Sequence, residues 1–108
     1  MKKLILGTDA NGKVDYGIPF VDLSDGHSIS MAAAATATLT VPSEATKALI
    51  QIQPGATVWV GPSAITGPTA SFATQDADIN PTLRDVQDVS TLHFLAVDAA
   101  EIKVSFYE

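Results

Sequence analysis

Few side chains in this sequence are equipped for chemistry, and they are scattered. His27 and His93 are the only imidazoles. A histidine metal site needs two or three ligands that converge, and a metal-dependent barrel enzyme would need several on its inner strands. His93 stands between Leu92 and Phe94 in an apolar run, and His27 follows the turn pair Asp25-Gly26. Both read as ordinary strand residues. "DANGKVD" places Asp9, Asn11 and Asp15 like the opening of a calcium loop. An EF-hand puts its glycine sixth and a glutamate twelfth; here Gly12 comes too early and no glutamate follows, so a hairpin turn explains the residues. Asp76, Asp78, Asp85 and Asp88 form an acidic group. Paired carboxylates can cleave glycosides, but sequence spacing does not fix their separation. A contact with a basic partner fits this group better than catalysis. The serines lie in neither a nucleophile elbow nor a phosphate-binding glycine loop. We therefore expect no catalytic, metal or cofactor-binding residue.

What remains is adhesion. Interface energy concentrates in Trp, Tyr and Arg. Trp59, Tyr16 and Tyr107 are the aromatic candidates, with Trp59 the best single choice for a contact buried against another subunit. The same three residues could instead offer a sugar-stacking platform. Ile29 and Met31, an apolar pair two residues apart, complete the candidate interface.

The elements that must hold these residues are strands. In "SMAAAATATLTVP" the alanines favour a helix, yet Thr36, Thr38 and Thr40 alternate with Ala35, Ala37, Leu39 and Val41. A period of two is the signature of a half-buried strand, and Pro42 ends it. Strands are expected near 27–32 and 35–41, with a bend at the alanines; a short helix over 31–37 is the competing reading. Further strands fit 2–6, 47–53, 56–61, 70–75, 91–98 and 101–108. Ile50 and Ile52 oppose Gln51 and Gln53; Val58 and Val60 oppose Trp59; Ile102, Val104 and Phe106 point inward from Lys103, Ser105 and Tyr107. Asn11-Gly12 is a strong hairpin signal, and residues 62–69 form a loop. "INPTLRDVQDVS" is ambiguous, with Asn80-Pro81 able to cap one helical turn. Seven or eight short strands between turn signals make a small all-β domain, an antiparallel sandwich or jelly-roll-like barrel.

At 108 residues the chain fits one domain spanning 1–108, with residues 1–20 a candidate N-terminal arm or hairpin. Charged residues are only 17%, below the usual quarter, and such a surface is easy to dehydrate on assembly. Twelve acids against six bases give a charge of −6. Nucleic-acid binding works through clustered Lys and Arg, so neither DNA nor RNA is an expected partner. The absence of cysteine rules out disulfides and thiolate metal sites. The apolar run Leu4-Ile5-Leu6 is shorter than a secretory core, and no stretch reaches membrane-spanning length.

Two longer stretches carry a family likeness. "TLTVPSEATKALIQIQPGATVWVGP" reads as strand, Pro42-Ser43-Glu44-Ala45, strand, glycine turn, strand; "STLHFLAVDAAEIKVSFYE" reads as strand, alanine turn and a final strand ending in aromatics. Over residues 36–108 this resembles the small β-sandwich virion proteins of tailed bacteriophages, namely capsid decoration (cement) proteins and head or tail accessory proteins. The resemblance implies a non-enzymatic structural protein on the capsid surface, assembled in the host cytoplasm. It would bind the major capsid protein or another virion protein, stabilise the shell, and work as a homo-oligomer, a trimer by preference. A tail- or receptor-associated module binding carbohydrate or protein is the alternative. No signature residue carries over.

Overall fold

The computed structural model describes residues 1–4, 7–8, 14–15, 18–65 and 76–108. Ten strands run through them: β1 (Gly7–Thr8), β2 (Val14–Asp15), β3 (Gly26–Met31), β4 (Thr36–Thr40), β5 (Lys47–Ile52), β6 (Val58–Gly61), β7 (Asp78–Ile79), β8 (Leu83–Asp85), β9 (Thr91–Ala96) and β10 (Ala100–Tyr107). One 3-10 turn, Leu23–Asp25, is the sole helical element among the described residues. Eight strands build two four-stranded sheets, ordered β3-β10-β5-β8 and β4-β9-β6-β7, and every pairing is antiparallel. β1 and β2 form a separate pair, with Gly7 opposite Asp15.

The two sheets stack as a sandwich because alternate residues of each are apolar. Ile50, Ile102, Val104 and Phe106 from the first sheet meet Val58, Val60, Leu92 and Phe94 from the second in one buried cluster. β9 and β10 are inner strands and supply its centre. Each fully buried aliphatic or aromatic side chain contributes about 1.5–3 kcal/mol relative to exposure. The outer face of the second sheet carries a smaller cluster of Trp59, Ile65, Ala77 and Leu95, with Ile79 beside it.

The alanine run turns out to be a crossing. β3 belongs to one sheet and β4 to the other, and residues 32–35 carry the chain between them. Ala34 sits at φ 63°, a left-handed conformation that no α-helix contains. Its N–H donates to the Ala96 carbonyl at 2.8 Å. That contact offsets the roughly 1–2 kcal/mol a side chain pays there. Thr36, Thr38 and Thr40 are exposed, while Ala35, Ala37 and Leu39 pack against the core.

Two expectations need correction and others fall partly outside the described residues. Residues 79–90 hold no helical turn. β7 and β8 stand there instead, joined by a bend at Asn80 with φ 46°. A helix N-cap needs an extended backbone, and this residue has a left-handed one. Residues 2–4 are not a regular strand, although they run beside the chain end: Leu4 N–H donates to the Glu108 carbonyl and Glu108 N–H to the Lys2 carbonyl. The expected strand at 70–75 and the Asn11-Gly12 turn lie outside the described residues, as does the second half of the 62–69 loop.

Candidate functional site

The aromatic candidates do not converge. Trp59 and Tyr107 occupy the outer faces of different sheets, because their neighbours Val58, Val60 and Phe106 all point into the shared core. Trp59 is 4% exposed, enclosed by Ile65, Ala77 and Leu95. Its apolar surface is used within the chain, so it presents no flat platform to a sugar ring. Gly61, two residues on, explains how tightly this face is closed. A Cβ there would stand 2.8 Å from the Ala77 Cβ, nearer than two carbons tolerate. Tyr16 lies outside the described residues.

Ile29 and Met31 lie on another face again. They belong to the inward-facing set of β3: Met31 is part of the main core, and Ile29 packs against it while partly buried. The register places them opposite Ile102 and Ala100, two core residues of β10. Alternation announced that both side chains share a face; which face looks outward depends on the second sheet.

The histidines are likewise apart. The His27 ring meets Phe106 edge-on, centroids 5.6 Å apart and planes at 66°, so it closes one end of the core. His93 lies on the outer face of the second sheet, between Thr38 and Gly61 in register. Among the described residues no three His, Asp or Glu side chains are grouped to hold a metal. Asp9 and Asn11 lie outside the described residues.

Three of the four aspartates have partners of their own. Ser63 donates to Asp76 at 2.6 Å, and Arg84 Nε–H donates to Asp78 at 3.1 Å. Asp85 accepts from Lys47 Nζ at 3.1 Å and from the Gln87 backbone N–H at 2.9 Å. The Gln87 bond, with Lys47 second, holds the Asp85 carboxyl below its ordinary range. Since Asp78 is on β7 and Arg84 on β8, that ion pair ties the two sheets together along one flank. Behind it a shallow cleft reaches Ile50, Val60, Val86 and Leu92.

Among the described residues the most exposed apolar groups sit elsewhere, on the segment that leads into β3. Phe20 is 92% exposed and Leu23 97%. This strap, residues 18–25, is fixed to the body at several points. The Tyr107 hydroxyl donates to the Pro19 carbonyl at 2.7 Å, and burial pushes the Tyr107 hydroxyl pKa up. The Met1 amino group lies 3.8 Å from both Asp22 and Asp25, and the Asp25 N–H donates to the Asp22 carbonyl. Gly26 lets the strap lie close, since a Cβ would meet Val21 Cγ1 at 3.3 Å. Sequence reasoning missed Phe20 and Leu23. Their only local signal was the irregular pattern of "GIPFVDLSDG", where apolar residues follow neither a strand nor a helix period.

No family model matches the chain, and no curated protein or solved structure matches it either.

Proposed function

We propose that this chain is a non-enzymatic virion structural protein of the decoration or cement kind. It binds an assembled bacteriophage capsid through the major capsid protein and stabilises the shell by adhesion. The observation that carries this reading is the strap: two large apolar side chains, Phe20 and Leu23, stand almost wholly in solvent on a segment pinned at both ends. Single exposed apolar residues are common, but two large ones on one short pinned segment support a contact role. A pinned segment loses little further entropy on docking, so more of the burial energy appears as affinity. Seating both side chains would contribute about 1.5–3 kcal/mol each. The net charge of −6 suits a neutral or basic patch on the shell. The all-β sandwich and the low share of charged residues agree with a role in packing.

Co-sedimentation with assembled shells tests the reading. The protein should bind saturably, and the double variant Phe20→Ala, Leu23→Ala should bind about a hundredfold or more weakly while keeping its melting temperature. Binding unchanged by the double variant, or no binding to shells, would remove the proposal.

A further inference from the structure

Among the described residues β4 is an edge strand, and its own five residues carry no charge. It is five residues long, and among the described residues it has a neighbour on one side alone, β9. The hydrogen bonds fix which way its backbone points. Ala96 N–H donates to the Ala35 carbonyl, and Val41 N–H donates to the Ser90 carbonyl. Hydrogen-bonded positions alternate in an antiparallel ladder. Ala35, Ala37, Leu39 and Val41 therefore turn their peptide groups toward β9. Thr36, Thr38 and Thr40 turn theirs to the open side. Natural edges are normally blunted by charge, proline, bulges or shortness; Thr36–Thr40 carries no charge and no proline, and the bulge at Ala34-Ala35 opposite Ala96 and Pro42 lie beyond its two ends.

Independently of the shell-binding reading, we propose that β4 pairs with β4 of a second copy of this chain, antiparallel across a two-fold axis at Thr38. The strand is self-complementary in that register. Thr36 faces Thr40 of the partner, Thr38 faces its own equivalent, and Ala37 faces Leu39. Each facing threonine pair exchanges both N–H···O=C bonds. The threonine side chains meet on the outer face, a favourable cross-strand pairing. On the inner face, small alanine meets larger leucine, and the half-buried Leu39 gains a cover. The two second sheets become one continuous sheet.

Charge selects the occupant. The chain carries −6 overall, yet residues 28–43 contain no ionisable side chain. His93 is the only titratable residue on neighbouring β9. In the proposed register Glu44 of one copy lies opposite Ala32 of the other, so no like charges face each other. Two copies of so acidic a chain can approach closely along this strip. A strongly basic partner would find no carboxylate on it. This arrangement is two-fold, in place of the three-fold one the family likeness implies.

Sedimentation equilibrium on the whole chain gives the first test, with twice the chain mass expected. Thr38→Pro removes an N–H that β9 does not use, so the fold should survive with its melting temperature. The dimer dissociation constant should rise about tenfold or more. Thr38→Cys supplies the readout of register. Facing residues of a hydrogen-bonded pair stand about 5.5 Å apart between Cα atoms, within disulfide reach, and the chain has no other cysteine. Mild oxidation should link Thr38→Cys into a covalent dimer and leave Thr82→Cys, exposed on the opposite flank, unlinked. A monomer at about 1 mM, where even weak self-association registers, would overturn the proposal. So would an oligomer that Thr38→Pro leaves intact, or Thr38→Cys that fails to cross-link. Shell binding by Thr38→Pro, and the mass of the Phe20→Ala, Leu23→Ala variant, separate this inference from the docking of the strap.

Discussion

The two flanks of the sandwich solve the same problem in opposite ways. On one flank the edge strands are β7 and β8, two and three residues long. Arg84 and Asp78 bridge them, Lys47 and Asp85 lie alongside, and Asn80 pins the bend between them. On the other flank the edges are β3 and β4, six and five residues long, and neither carries a Lys, Arg, Asp or Glu. Short, charged edges resist intermolecular pairing and long neutral ones invite it. One side of the molecule is thus closed by its own side chains, and the other, among the described residues, keeps unpaired backbone at its edge. β3 is the better guarded of the pair, because Glu101 and Lys103 stand beside it and Glu101 accepts from Ser30 at 2.7 Å.

On this contrast, truncations to alanine on the two flanks should have unequal effects, the larger truncation costing less. Val86 is 1% exposed behind the closed flank, and Val86→Ala should cost about 2–3 kcal/mol in urea unfolding at any protein concentration. Leu39→Ala should cost about 1 kcal/mol in dilute solution, where its site is half open, and visibly more where copies associate. A concentration-independent cost at Leu39 would erase the distinction. Next in size is the bend. The Asn80 side chain accepts from Val58 N–H at 2.8 Å and donates to the Ala56 carbonyl at 2.9 Å. Asn80→Ala loses both bonds in a left-handed conformation and should lower stability by about 2 kcal/mol, read from the denaturant midpoint.

The crossing on the open flank offers a gain of stability. Ala34→Gly relieves the left-handed strain but enlarges the unfolded ensemble, for a net stabilisation of about 0.5–1 kcal/mol, seen as a raised Tm. The smallest effect concerns pH. Asp85 has a depressed pKa, so its contribution is present above the ordinary carboxylate value of 3.8 and fades as pH falls through the lower folded value. Lys47→Met should weaken that acid-side slope slightly and leave stability near neutrality almost unchanged, because the pair is exposed. A large neutral-pH loss would mean the closed flank depends on its charges more than its exposure allows.

Much of the sandwich was legible in the residues. The alternation in 36–41, 47–53, 58–60 and 102–107 assigned side chains to faces correctly, since the period of two is a property of the backbone itself. β7 and β8 were not legible: strands of two or three residues containing Asp and Arg have no room to show a period. Their pairing rests on β5 and β6, distant in sequence. Ser105 and Tyr107 were correctly placed on the outward face, yet they are 2% exposed, and Tyr107 is capped by the strap. That Trp59 is enclosed by Ile65, Ala77 and Leu95 of its own chain was not legible, because a large aromatic is equally at home in a core and in an interface.

The sequence by itself determined that the chain is β-rich, that its strands have one apolar side, and that residues 28–43 carry no charge. Those are local properties, fixed by side-chain chemistry and backbone pleat. Only the tertiary structure decided which strands became edges, which outward faces were covered by the chain's own segments, and that Phe20 and Leu23 were left in solvent. Each of those depends on contacts between residues far apart along the chain, and a linear pattern holds no record of which distant partner completes a surface.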